Sequence, residues 1–86
     1  NFPDCELDSL STGRLIIANK NIPNMVGQIT TILASEKINI ADMINRHKGD
    51  YAYNIIAVDG AVESSTIDKI KAIDGVIMAR FIETKK

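Results

Sequence analysis

Ile38-Asn39-Ile40-Ala41-Asp42-Met43-Ile44-Asn45-Arg46-His47-Lys48-Gly49-Asp50-Tyr51-Ala52-Tyr53-Asn54-Ile55-Ile56-Ala57-Val58 is the stretch on which the fold turns. Its first half does not alternate cleanly: Ile40 and Ile44 share one parity while Met43 takes the other. A strand with a bulge near Ala41-Asp42 reconciles them. Lys48-Gly49-Asp50 is turn chemistry, with His47 read as a solvated turn residue, and Tyr51 to Val58 reads as the antiparallel return strand, ended by Asp59-Gly60. Residues 40 to 58 therefore form a hairpin. On its return strand Ala52, Asn54, Ile56 and Val58 point one way, and Tyr51, Tyr53, Ile55 and Ala57 the other.

Upstream of the hairpin, Arg14-Leu15-Ile16-Ile17-Ala18-Asn19 is a short apolar run suited to a strand buried on both faces. Pro23 holds Ile22 extended, and Asn24 is an N-cap for a helix from about Asn24 to Glu36 with Met25, Val26, Ile29, Ile32 and Leu33 on one stripe. Gly27 inside that helix costs about 1 kcal/mol against Ala, which points to a close approach there. Downstream, Ser64 or Ser65 caps a second helix with Ile67, Ile70 and Ile73 near one stripe and Asp68, Lys69 and Lys71 facing water. Asp74-Gly75 ends it, and Val76 to Ile82 is a last strand with Arg80 inside. The order is βαββαβ, an α+β ferredoxin-like sandwich with a four-stranded antiparallel sheet and both helices on one face. The other sheet face is left open and partly apolar, so self-association is expected.

At 86 residues there is room for one small core. A hydrophobic share of 45% against 24% charged residues is that of a folding chain, not a disordered one. Ten Lys and Arg against 11 Asp and Glu give a net charge of -1, which offers no general attraction for phosphate backbones or anionic lipid. The expected partners thus include neither nucleic acid nor a membrane. The lone Cys5 makes no internal disulfide, and one Cys with one His builds no structural zinc site. No apolar run approaches the roughly 20 residues of a membrane span, and Asn1-Phe2-Pro3-Asp4 is not a signal-peptide start, so a cytoplasmic setting is expected. Residues 1–13 read as a linker or docking arm, 14–83 as the domain and 84–86 as a solvated tail. The missing initiator methionine suggests a piece of something longer.

No nucleophile and base pair, phosphate-cradling glycine motif or dinucleotide fingerprint is present, so catalytic residues, bound metal and a cofactor of this fragment's own are all expected to be absent. The informative residues are asparagines: Asn19 and Asn21 after the first strand, and Asn39 just before the second. An amide side chain offers donor and acceptor without net charge, so a cluster can meet both ends of a zwitterion. The N–H groups at the start of the first helix, near Asn24, Met25 and Val26, add anion affinity. In this topology the two groups of asparagines lie at opposite ends of the first helix, and a twofold pairing of that helix and the second strand would bring them together. A small amino acid fits the chemistry.

The stretch Arg14-Leu15-Ile16-Ile17-Ala18-Asn19-Lys20-Asn21-Ile22-Pro23-Asn24-Met25-Val26-Gly27-Gln28-Ile29, then Ile38-Asn39-Ile40-Ala41-Asp42-Met43, Ala52-Tyr53 and Ile73-Asp74-Gly75-Val76-Ile77-Met78-Ala79-Arg80, resembles the C-terminal ACT domains of the D-3-phosphoglycerate dehydrogenase family. Asn1-Phe2-Pro3 is similar to the segment leading into that domain from the catalytic body. The resemblance implies a regulatory, non-catalytic domain that binds L-serine between two copies paired into one eight-stranded sheet, inside an enzyme that uses NAD elsewhere. It places Asn21 and Asn39 at serine-contacting positions. Asn19 stands where many members carry histidine, and Asn24 where a glycine commonly follows the proline.

Two other readings stay open. One is a dimerisation module without a ligand. The other is an RNA-recognition motif, which shares the element order and uses aromatics on its first and third strands; Tyr51 and Tyr53 echo this, while Leu15-Ile16-Ile17-Ala18 offers no aromatic.

Overall fold

In the computed structural model, which describes residues 13–83, the hairpin forms from β2 (Asn39–Lys48) and β3 (Tyr51–Asp59). Only Gly49 and Asp50 lie between the strands, and Gly49 sits at φ 63°, as the first central residue of a type II′ turn requires. The register slips between Ile40 and Asp42, so Ala41 is the bulged residue and Ile40 and Met43 both turn toward the core.

β1 (Gly13–Lys20) pairs with β3 on one side and β4 (Val76–Glu83) on the other, giving the antiparallel order β2-β3-β1-β4. The helices α1 (Met25–Ser35) and α2 (Ser64–Lys71) complete the βαββαβ order. The arm expected over residues 1–13 overlaps β1 at Gly13; its other residues, Cys5 among them, and the tail 84–86 lie outside the described residues.

The core lies between one sheet face and the helices. Leu15 and Ile17 from β1, Ile56 and Val58 from β3, Met25, Ile29 and Leu33 from α1, and Ile70 from α2 make it up. At about 25 cal/mol per Å², burying such side chains is the main term holding a domain of this size together. The expected burial of β1 on both faces holds on one only: Ile16 and Ala18 are half-buried on the open side. Sheet register arranges that open face in rows of Lys48, Tyr51 and Lys20; Arg46, Tyr53, Ala18 and Met78; Ile44, Ile55, Ile16 and Arg80; and Asp42, Ala57, Arg14 and Ile82. Tyr51 and Tyr53 are each 53% exposed.

Both helix starts depart from expectation. Asn24 precedes α1 but adopts the left-handed conformation, φ 64° and ψ 15°, and its side chain makes no capping bond. A capping side chain reaches the first turn from extended backbone, a geometry this φ does not supply. Asn24 Oδ1 instead lies over Gly27, in the space a Cβ there would occupy. α2 is preceded by extended Glu63, whose carbonyl accepts from the N–H groups of Thr66 and Ile67, so Ser64 and Ser65 fall inside the first turn and neither caps. His47 is an exposed β2 residue opposite Ala52, not a turn residue. Where the helix ends meet, Lys69 donates to Glu36, a surface ion pair worth at most about 1 kcal/mol.

Candidate functional site

Three chain segments meet at one end of the sheet, and backbone hydrogen bonds hold them. The Lys20 N–H donates to Gly75 O at 2.8 Å, tying the β1–α1 loop to the turn before β4. The Asn21 N–H donates to Asp50 O at 2.7 Å, tying the same loop to the hairpin tip. Ile22 N–H donates back to Lys20 O at 2.9 Å, folding the chain tightly around Asn21. Lys20, Asn21, Ile22, Asp50 and Tyr51 line a cleft of about 380 Å³ there. Gly75, at φ 102°, lets that turn pass against Ile22 and Met25, where a side chain would collide.

The six residues singled out by sequence fall into four groups. Asn21 is exposed at this end, and its Nδ2 approaches Gly49 O only at a long 3.4 Å, so the amide stays accessible. Asn24, Met25 and Val26 follow at the start of α1. The first intrahelical bond runs from Gln28 N–H to Asn24 O, so helix geometry leaves the N–H groups of Met25, Val26 and Gly27 without an intrahelical acceptor. Met25 contributes only its backbone, because its side chain is 3% exposed within the core. Asn19 is 2% exposed: its Nδ2 donates to Lys20 O at 2.8 Å and its Oδ1 accepts from Asn54 Nδ2 at 2.8 Å.

Asn39 stands apart. On β3, Asn19 faces Ala52 while Asn39 faces Asp59, seven positions further on, or roughly 24 Å along the strand. Within one chain the fold brings Asn21 close to the start of α1 and keeps Asn39 at the far end of the sheet.

Residues that sequence reasoning did not assign to a site also gather here. Asn45 and Asn54 extend the amide contacts of Asn19 across the sheet. Asn24, Gly27, Gln28, Thr31, Ile32 and Ile73 line a second cleft, of about 370 Å³, between α1 and the chain that follows α2. The signal for Asn54 was its parity, an amide among the inward residues of β3. Nothing in the spacing of Gln28 and Thr31 distinguishes them from solvated helix positions. Among the described residues there is no cluster of His, Cys, Asp or Glu able to hold a metal ion, and no helix long and apolar enough to cross a membrane.

The fold is that of known domains. The ACT domain of a GTP pyrophosphokinase from Chlorobium tepidum superposes with a TM-score of 0.71 at 16% identity, over 84% of this chain and 97% of that one. The chain has the ACT-domain fold. A homoserine dehydrogenase from Thiobacillus denitrificans also superposes, with a TM-score of 0.70 at 23% identity over 92% of this chain and 19% of that one. In sequence the chain is similar to D-3-phosphoglycerate dehydrogenase of Haemophilus influenzae, 29% identical over 83 residues, which is 95% of this chain. It spans 20% of the length of that curated relative. No protein-family model matches it. The fold is that of an ACT domain, and by extent the chain corresponds to a small part of the dehydrogenase it resembles.

Proposed function

We propose that this ACT domain binds a small amino acid, L-serine first among them, as the regulatory part of an NAD-dependent D-3-phosphoglycerate dehydrogenase of serine biosynthesis. The observation that carries the reading is the 29% identity to that enzyme across nearly the whole domain. The proposed effector residues are Asn19, Asn21, the Asn24-Met25-Val26 helix start and Asn39. Because Asn21 and Asn39 lie at opposite ends of one chain, a ligand touching both needs two copies.

The free edge at β2 supplies the means. An antiparallel β2–β2 contact, with α1 beside its twin, lays the Asn39 end of one protomer against the Asn21 end of the other. An exposed edge strand of ten residues is otherwise an aggregation hazard, so pairing there removes a liability as well as building a site. The N–H groups at the start of α1 favour the ligand carboxylate, and the amide oxygens of Asn21 and Asn39 the ammonium and hydroxyl. The domain holds no cofactor of its own, and its setting is the cytoplasm.

Calorimetric titration with serine, glycine and other small amino acids tests this. Saturable heat for serine, with half a site or one site per chain, is the expected result. No heat at concentrations well above about 1 mM for any of them would refute effector binding and leave a dimerisation module.

One observation favours a second reading. Tyr51 sits between Lys48 and Lys20, and Tyr53 beside Arg46, on an exposed sheet face. That is a stacking surface with cations at its rim, despite a net charge of -1 for the chain. A salt-dependent affinity for single-stranded RNA, lost on Tyr53→Ala, would support it.

A further inference from the structure

Asn45, Asn54 and Asn19 form a row of side-chain amides on the helix side of three adjacent strands. Asn45 Nδ2 donates to Asn54 Oδ1 at 2.6 Å, and Asn54 Nδ2 donates to Asn19 Oδ1 at 2.8 Å. Asn19 Nδ2 donates to Lys20 O at 2.8 Å. The row has only one consistent direction. A backbone carbonyl can only accept, so Asn19 must present its nitrogen to Lys20 and its oxygen to Asn54. Asn54 must then donate to Asn19, which leaves its oxygen for Asn45.

The terminal carbonyl has a second duty. Lys20 O also accepts the Ile22 N–H at 2.9 Å, the bond that folds the chain around Asn21. Both acceptor positions of one oxygen are thus filled, one by the amide row and one by the turn that carries Asn21.

Placing amides inside this core has no packing rationale. Asn54 is 0% exposed and shares its face of β3 with Ala52, Ile56 and Val58. An apolar side chain there would fill the space without desolvating an amide, and a buried amide is tolerable only when bonded. The condition is met: among the described residues no buried side-chain nitrogen or oxygen lacks a partner.

We infer that Asn54 is a positioning residue for the turn that carries Asn21, acting through a one-way amide chain that begins at the edge strand β2. Its bearing on ligand binding rests on the reading that Asn21 contacts the effector; the chain itself does not.

Direction makes the row a relay. With Asn45→Asp the first group cannot donate, so Asn54 must rotate to present nitrogen to it. Asn19 must then rotate in turn, bringing its oxygen against Lys20 O. Two acceptors cannot share that contact, so the turn around Asn21 shifts. Position 45 is exposed and the substitution leaves the core intact, so the fold should persist.

The test is ¹H–¹⁵N NMR on the full 86-residue chain without ligand. Asn45→Asp should move the backbone amides of Asn21 and Ile22 and the side-chain amide of Asn19, two strands away. In an Asn54→Ser background the same substitution should leave Asn21 and Ile22 where Asn54→Ser alone puts them. Shifts confined to β2 and β3 would overturn the relay, as would an Asn21 shift that persists without Asn54. Serine titration of the same variants separates the two layers of the argument. Asn45→Asp should weaken serine binding roughly five- to tenfold. An unchanged affinity alongside transmitted shifts would remove Asn54 from the effector machinery. Absence of serine binding in the unaltered chain would instead refute the effector reading, with the NMR result still deciding the relay.

Discussion

Replacing Gly27 by Ala should stabilise this domain, although Gly27 sits against a neighbouring side chain. An Ala Cβ at position 27 would meet Asn24 Oδ1 and, at 3.4 Å, Asn24 Cγ, and nothing else nearby. Those atoms belong to an exposed side chain that makes no capping bond, so it can swing aside at a cost of a few tenths of a kcal/mol. Against that stands the helix-interior preference of Ala over Gly, about 0.8–1.0 kcal/mol. The gain wins, leaving about 0.4–0.8 kcal/mol, which for a domain of this size raises Tm by about 2–6 °C. Thermal and urea denaturation followed by circular dichroism read it directly. Gly75→Ala is the internal contrast. There φ is 102°, and the new Cβ would lie 2.8 Å from Ile22 Cδ1 and 2.9 Å from buried Met25 Cε. Backbone strain of about 1–3 kcal/mol and overpacking of similar size should destabilise that variant by about 2–5 kcal/mol. A Gly27→Ala protein less stable than the parent by more than about 0.5 kcal/mol would refute the reasoning. It would mean that the Asn24 side chain is held in place and that Gly27 exists to receive it.

Three further outcomes follow from the same geometry. Asn39→Ala should weaken serine binding by roughly tenfold to a few hundredfold, measured by calorimetry, while the unfolding free energy moves by less than about 0.5 kcal/mol because Asn39 is exposed. Ile29→Ala, at a fully buried α1 position, should cost about 2–5 kcal/mol in urea denaturation. The chain should scatter light as a dimer, and a monomer persisting at high concentration would refute pairing through the β2 edge.

The element order was legible because each segment carried its own period and its own stop signals. The bulge could be read from three residues, since Ile40, Met43 and Ile44 cannot all be satisfied by strict alternation, and the register slips there. Asn24 misled for a physical reason. Asparagine is favoured both as an N-cap and in left-handed backbone, and only the neighbouring chain decides between them. Within the candidate site, the separation of Asn21 from Asn39 followed from topology alone. The amide row did not, because Asn54 meets partners 9 and 35 residues away, and such meetings depend on register between strands. Parity could mark Asn54 as inward-facing but could not say what it would touch. Charge was the other loss: a net value near zero conceals that Lys20, Arg46 and Lys48 flank the tyrosines on one face.

Gly13 and Glu83 face each other as register partners where β1 meets β4. Directly opposed residues of antiparallel strands lie about 5 Å apart, so the chain enters and leaves this fold at nearly the same point. A few added residues would join those two positions, and the hairpin could be opened between Gly49 and Asp50 to make new ends. Such a circular permutant should keep the sheet order while exchanging two roles: β1–β4 becomes the local hairpin and β2–β3 the longest-range pairing. Because one long closure replaces another of similar span, the rearranged chain should fold at a rate close to that of the natural order. During synthesis the natural order imposes the opposite schedule: β1 must wait beside β3 with one edge unpaired until the last strand is made.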